Sequence, residues 1–187
     1  MKAAILAGGL GTRLGDITKL IPKPMVRIGK KPIIAHIIDI YVKHGIKEFV
    51  IALGYKGAEI KKYFKKNYKS LDIKLINTGA KTMTGGRLKR LQKYLNEETF
   101  LLTYGDGLSN VDIKKKIKFH KKNKKFVTIC AVRPPARFGG LTISKNKVSN
   151  FEEKNQIREG WINGGFFVME PKIFKFLKGD KSILERE

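Results

Sequence analysis

Short apolar runs separated by amphipathic stretches set the rhythm of this chain. The first run, residues 2–6, gives way at once to glycines, and similar runs recur at 48–53, 73–76, 99–103 and 126–132. Between them apolar residues return at helical spacing. Ile33, Ile34, Ile37, Ile38 and Tyr41 make one such face, with Pro32 at its first turn and Gly45 as its stop. A lysine-rich helix is expected near 58–66, and Leu88, Leu91 and Leu95 mark a helix face beginning just after Thr84-Gly85-Gly86. Apolar runs alternating with amphipathic helices are the pattern of βαβ units, so the class is α/β with a mostly parallel sheet. After residue 132 the pattern loosens: Pro134-Pro135 and Phe138-Gly139-Gly140 interrupt it, and short runs at 141–143 and 148–151 predict a small antiparallel excursion. A last strand at 163–169 and a short helix at 171–177 follow.

With 187 residues and 42% hydrophobic content, the chain suits one globular domain spanning 1–187, with no repeat or linker to divide it. No run reaches the roughly 20 apolar residues of a membrane helix. The apolar stretch at the N-terminus is too short for a signal peptide, and the expectation is a cytoplasmic protein without a membrane partner. Cys130 is the single cysteine, which excludes an internal disulfide and a cysteine-based zinc site; its apolar neighbours predict an inert thiol in a buried strand. The formal charge of +24 raises nucleic acid as a partner. The lysines, Lys114-Lys115-Lys116 among them, are scattered at polar positions as a solvated surface would have them. Tyr63, Phe64 and Phe119 fall where helix cores want them, so no specific nucleic-acid partner is expected.

Chemistry concentrates first in Leu6-Ala7-Gly8-Gly9-Leu10-Gly11-Thr12-Arg13, a glycine-rich turn at the end of the first strand. Small residues there let backbone N–H groups approach a phosphate or a base. The loop is not the dinucleotide fingerprint, because Leu14 stands where a third glycine belongs, and no Lys-Ser/Thr pair closes a Walker A loop. Arg13 is suited to bidentate phosphate contact, and Lys23, stiffened between Pro22 and Pro24, can aim its ammonium at the same ligand. Asp106, in Tyr104-Gly105-Asp106-Gly107 after a strand, is the metal candidate, since a carboxylate at that sheet edge suits Mg²⁺. His36, His44 and His120 have no metal-ligand spacing and receive no catalytic role.

The glycine opening followed by Pro22-Lys23-Pro24-Met25 resembles the sugar-1-phosphate nucleotidyltransferases. Thr82-Met83-Thr84-Gly85-Gly86-Arg87, Tyr104-Gly105-Asp106-Gly107 and Trp161-Ile162-Asn163-Gly164-Gly165-Phe166-Phe167 look like the glucose-1-phosphate cytidylyltransferases within them. The resemblance covers essentially the whole chain and implies a Rossmann-like, GT-A-like sheet with helices on both faces. It implies Mg²⁺-dependent transfer of a cytidylyl group from CTP to glucose 1-phosphate, giving CDP-glucose and pyrophosphate, in nucleotide-sugar and O-antigen biosynthesis. Another nucleotide or sugar phosphate, or a form that binds nucleotide without turnover, stays open. Position by position, Leu6, Ala7, Gly8, Gly9, Leu10, Gly11, Thr12, Arg13, Lys23, Thr82, Arg87 and Gly105 would meet the nucleotide. Arg13, Lys23 and Asp106 would act in catalysis, with Asp106 holding the metal, and Lys154, Asn163 and Gly164 would meet the sugar phosphate. The resemblance further implies a C-terminal part with a second metal-binding aspartate beyond Glu187 and an insertion within 67–76 in relatives, which bears on homo-oligomer formation and on the nucleotide edge.

Overall fold

The computed structural model describes residues 1–11, 20–134, 140–152 and 160–187. They form two compact units, Met1–Thr128 with Gly165–Glu187, and Ile129–Gly164. In chain order the elements are β1 (Ala3–Leu6), β2 (Arg27–Ile28), β3 (Lys31–Pro32), α1 (Ile33–Lys43), β4 (Glu48–Leu53), α2 (Gly57–Lys66), β5 (Asp72–Asn77), α3 (Thr84–Arg90) and α4 (Gln92–Leu95). There follow β6 (Phe100–Tyr104), α5 (Ile113–Asn123), β7 (Val127–Val132), β8 (Gly140–Ser144), β9 (Lys147–Glu152) and β10 (Ile162–Met169). Short 3₁₀ turns lie at Lys23–Met25, Pro171–Lys175 and Leu184–Arg186.

The main sheet runs β5-β4-β1-β6-β10-β7. β1 is parallel to β4 and β6, and β4 to β5, so these four strands end together along one edge. β10 enters antiparallel, with Phe166 opposite Thr103 and Met169 opposite Phe100. This is the expected mostly parallel α/β architecture. Both faces of the parallel strands are buried, which is why they read as continuous apolar runs. Ala4, Leu6, Val50, Ala52 and Leu102 pack against Leu88, Leu91 and Leu95 on one face. On the other, the α1 side chain Tyr41 meets Phe49 edge-on, with ring centroids 6.3 Å apart, and also contacts Phe166. All five residues expected on the α1 face are buried, and Gly45 ends the helix region at φ +89°.

Local differences have physical causes. The helix expected after Thr84-Gly85-Gly86 begins at Thr84, with both glycines inside it. A Cβ on Gly86 would lie 2.5 Å from the Asp180 carbonyl oxygen, and one on Gly85 would lie 2.9 Å from the Ser182 carbonyl oxygen. The glycines let the C-terminal segment seat directly on α3. Helix α5 buries Ile113, Lys116 and His120, so Phe119 points outward at 60% exposure instead of into a core. Lys116 is no surface lysine: its ammonium donates to the Phe166 carbonyl. Cys130 is half-buried in β7 beside an exposed Ile129, not in a fully buried strand.

The smaller unit carries the antiparallel pair β8 and β9, with Leu141 opposite Phe151 and Ile143 opposite Val148. Lys145 and Asn146 join the strands with φ of +48° and +60°, the two positive values a type I′ hairpin turn requires. Among the described residues, no helix is long and apolar enough to cross a membrane.

In the larger unit, buried His120 links α5 to the sheet. Its Nδ1 lies 2.7 Å from Thr128 Oγ1 and its Nε2 lies 2.9 Å from Glu170 Oε1, which also accepts from Thr99. Burial works to raise the Glu170 pKa, but the His120 and Thr99 hydrogen bonds and the charges of His120 and Lys172 outweigh it and hold the carboxyl below its ordinary value. A carboxyl depressed in the folded state stabilises fully above its unfolded pKa and loses that contribution as pH falls through the folded one. Urea midpoints should therefore decline as pH is lowered through about 5 to 3, and Glu170→Gln should show a shallower decline over that window. A variant decline as steep as the parent's would assign the acid sensitivity to other carboxylates.

Candidate active site

At the C-terminal edge of the parallel strands, strand ends, glycine loop and helix α3 surround a cavity of about 400 Å³. Open α/β sheets collect ligands at this edge, because the strands end there and the connecting loops diverge. Leu6, Ala7, Gly8, Gly9, Leu10 and Gly11 form one wall, and Lys23, Thr82, Arg87 and Asp106 lie around the rest. Residues distant in sequence thus meet at one edge of the sheet.

The glycine loop is anchored at its base. Ala7 N–H donates to the Ala52 carbonyl at 2.9 Å and Tyr55 N–H to the Gly8 carbonyl at 3.2 Å, so the loop leaves β1 tied to β4. Beyond that point it opens: nothing lies within 4 Å of where a Gly9 Cβ would be, and Gly11 takes φ +70°. A ligand can therefore approach the backbone closely there. Gly105 sits behind the wall, where an added Cβ would be 3.1 Å from Ala7 and from Pro24, and its N–H donates to the Leu6 carbonyl.

Arg87 organises the opposite wall. It is only 4% exposed, and its guanidinium donates to Thr78 Oγ1 at 2.8 Å, the Gly79 carbonyl at 2.6 Å and the Ala80 carbonyl at 3.1 Å, with a longer contact to the Leu53 carbonyl. Burial, and then the nearby Arg90 charge, lower its pKa from the usual arginine value. Thr82 closes the same loop, donating from Oγ1 to the Thr78 carbonyl at 2.6 Å. A Cβ on Gly8 would overlap the Arg87 Nη1 and press on the Gly54 backbone nitrogen, and one on Gly54 would overlap the same Nη1 and the carbonyl oxygens of Gly8 and Gly79.

Lys23 begins the 3₁₀ turn between its two prolines, and its ammonium meets Asp106 Oδ2 at 2.5 Å. The pair is partly open to solvent, with side-chain exposures of 26% and 34%. Among the described residues no three His, Cys, Asp or Glu side chains gather to hold a metal, so Asp106 is the carboxylate available in the cavity wall. Thr12, Arg13 and Lys154 lie outside the described residues. Asn163 and Gly164 belong to the smaller unit, on the part of β10 that precedes Gly165.

Sequence reasoning passed over Ala80, Lys81, Met83, Thr84 and Tyr104, which also line the cavity. The stretch after β5 was the available signal, since it leaves the same sheet edge as the glycine loop. Thr84 and Tyr104 both donate their hydroxyls to the Glu185 carboxylate, which attaches the C-terminal segment to two cavity-lining side chains.

A glycine loop, a lysine–carboxylate pair and a basic cavity lie together at the edge where open α/β enzymes collect their ligands. The chain belongs to the nucleotidyl transferase family, whose match spans residues 2–187, and it is an enzyme of that type. It is 45% identical to the glucose-1-phosphate cytidylyltransferase of Salmonella typhi, across 100% of this chain and 82% of that protein. A D-glycero-alpha-D-manno-heptose 1-phosphate guanylyltransferase of Campylobacter jejuni is 37% identical over 93% of this chain and 78% of its own length. Among solved structures, HddC from Yersinia pseudotuberculosis complexed with GMP-PN superposes with a TM-score of 0.77 at 31% identity, covering all of this chain and 84% of that one.

The contact between Arg87 and the glycines yields a double-mutant test. Gly8→Ala should destabilise the protein by about 1–3 kcal/mol in urea unfolding, the usual cost of overpacking. Combined with Arg87→Ala, the loss should be clearly less than additive, since the obstructing guanidinium is gone. Strict additivity would mean that the two side chains do not meet.

Proposed function

We propose that this protein transfers a cytidylyl group from CTP to a sugar 1-phosphate, with glucose 1-phosphate as the acceptor, releasing pyrophosphate. The observation that carries the reading is the convergence of the glycine loop, Lys23 and Asp106 on one cavity at the sheet edge. The cytidylyltransferase relative at 45% identity supports CTP over the guanine nucleotide of the more distant relatives.

In this reading the loop backbone from Leu6 to Gly11, with Thr12, Arg13 and Thr82, receives the nucleotide; Gly105, expected among these contacts, instead packs behind the wall against Ala7 and Pro24 with its N–H given to the Leu6 carbonyl. Arg87 holds the loops that shape its pocket. Lys154, Asn163 and Gly164 take the sugar phosphate. A nonbridging oxygen of the sugar phosphate attacks the α-phosphorus in line, the bond from that phosphorus to the bridging oxygen breaks, and pyrophosphate leaves. The attacker is already an anion, so no general base is needed, in keeping with a site whose work is positioning and charge stabilisation. Lys23 and Arg13 would bear on the phosphate oxygens as their charge redistributes.

The donor set also fits Mg²⁺. This ion commonly takes one or two carboxylates, keeps several waters and completes its shell with substrate phosphates, and Asp106 offers a solvent-accessible carboxylate in the cavity. Asp106 would hold it, and when bound it would supply charge neutralisation at the triphosphate. Lys23, already paired to Asp106, keeps that carboxylate aimed into the cavity and passes to the phosphates once substrate binds.

Pyrophosphate release from CTP and glucose 1-phosphate should depend on Mg²⁺ and stop on chelation. Lys23→Ala and Asp106→Ala should each lower kcat by about 10²–10³-fold, the scale of losing one preorganised electrostatic group. Full release from either variant would remove that residue from the mechanism. Faster release with GTP, UTP or dTTP than with CTP would replace the nucleotide but keep the chemistry.

A further inference from the structure

The smaller unit holds the chain's single tryptophan, whose exposed ring carries a stacked arginine. Trp161 is 65% exposed at the start of β10, and the Arg133 guanidinium carbon stands 4.6 Å from its ring centroid. Strand packing creates this pair. β7 and β10 are neighbours, and Gly164 draws them close: a Cβ there would meet the Cys130 carbonyl oxygen and Val132 Cγ1 at 2.9 Å. Arg133 and Trp161, just beyond that contact, are thereby brought face to face.

A single exposed apolar side chain is ordinary on a protein surface; what sets this ring apart is the guanidinium stacked on it. The stacked guanidinium lowers the entropy cost of keeping the ring in one orientation, which is the preorganisation a binding platform needs. An aldopyranose matches such a platform. One of its faces presents C–H groups that pack on an electron-rich ring, while its hydroxyls project from the rim towards amide partners. Asn163 lies two residues along the same strand.

We propose that Trp161, steadied by Arg133, is a specificity-determining residue that stacks on the pyranose of the sugar 1-phosphate. The proposal rests on the assignment of Asn163 and Gly164 to the sugar phosphate. It extends that assignment from polar contacts to the apolar face of the sugar and places Arg133 in a positioning role.

With one tryptophan in the chain, its fluorescence reports on this residue alone. Titration of the protein with glucose 1-phosphate should change the emission saturably, whereas inorganic phosphate at equal concentration should leave it unchanged. Trp161→Ala should raise KM for glucose 1-phosphate by about tenfold with the KM for CTP within twofold, and Trp161→Phe should restore most of the loss. Emission indifferent to glucose 1-phosphate, equal responses to phosphate and sugar phosphate, or an alanine variant with unchanged KM for the sugar would overturn the proposal. Failure of the underlying reading looks different: CTP would not bind in calorimetry and no pyrophosphate would appear. The emission titration decides the role of Trp161 in either case.

Discussion

The wall of the sheet-edge cavity depends on one buried cation. Arg87 lies among carbonyl and hydroxyl oxygens at the ends of β4 and β5, and among the described residues no carboxylate hydrogen-bonds to it. Burying a guanidinium is costly, and only a dense set of charge-assisted hydrogen bonds offsets that cost. The planar fork of donors suits such a site because it reaches several oxygens at fixed angles, which a lysine ammonium on a flexible stem would not do with the same geometry. Much else follows from its placement. Thr78 is fully buried and hands its own hydroxyl proton to the Leu53 carbonyl, which leaves its oxygen free to accept from Arg87. At Gly8 the guanidinium takes most of the space a Cβ would need, and at Gly54 it shares that space with the carbonyl oxygens of Gly8 and Gly79. The glycines near a phosphate loop therefore serve two ends here, ligand approach at Gly9 and Gly11 and arginine packing at Gly8.

The segment around α3 is shared between site and scaffold in the same way. Thr82 and Arg87 face the cavity, while Gly85 and Gly86 accept the backbone of residues 180–182. Met83 N–H donates to the Asp180 carbonyl and Gly86 N–H to the Ser182 carbonyl, and Arg90 grips the Asp180 carboxylate through two nitrogens. That hydrogen bond and charge hold the Asp180 carboxyl below its ordinary pKa. The short helix is thus clasped from the side away from the glycine loop, and Glu185 adds a link to Thr84 and Tyr104 on the cavity side. A resemblance carried by the motif Thr82-Met83-Thr84-Gly85-Gly86-Arg87 reflects packing as much as recognition.

The parallel strands were legible in the sequence because burial on both faces leaves a continuous apolar run, and β4 matches its expected bounds. Helix α1 was legible because its buried stripe is wholly apolar. Within α5, Lys116 and Phe119 were misplaced for the opposite reason: two of the helix's buried positions are Lys116 and His120, which become tolerable only through partners on β7, β10 and the residue after it. No local pattern distinguishes such a lysine from its solvated neighbours. Cys130 was placed too deep because β7 lies at the sheet margin, where an apolar sequence does not guarantee two covered faces. The individual cavity residues Lys23, Asp106 and Arg87 were visible through motif chemistry and resemblance. What they do to one another was not, since the Lys23–Asp106 pair and the carbonyl cage of Arg87 join segments that only the sheet topology brings together.

The electrostatics of the cavity follow from this arrangement and bear on the high net charge. Lys23, Lys81 and Arg87 face the space with Asp106 as the opposing carboxylate in its wall, so the cavity is net cationic before any substrate enters. A formal charge of +24 over the whole chain adds a long-range field of the same sign. Such a field raises the encounter rate of polyanions in general, a triphosphate and a sugar phosphate alike, and salt screens it over about 8–10 Å. Selectivity must then come from short-range groups that charge cannot imitate. In the proposed reading the arginine-held loop and the close-packed glycines would supply them through shape, because they fix the distance between the loop backbone and the wall facing it. A lysine-rich surface can coexist with a selective enzyme for that reason: the field gathers anions without discrimination, and the rigid cavity decides which of them is held in line for reaction.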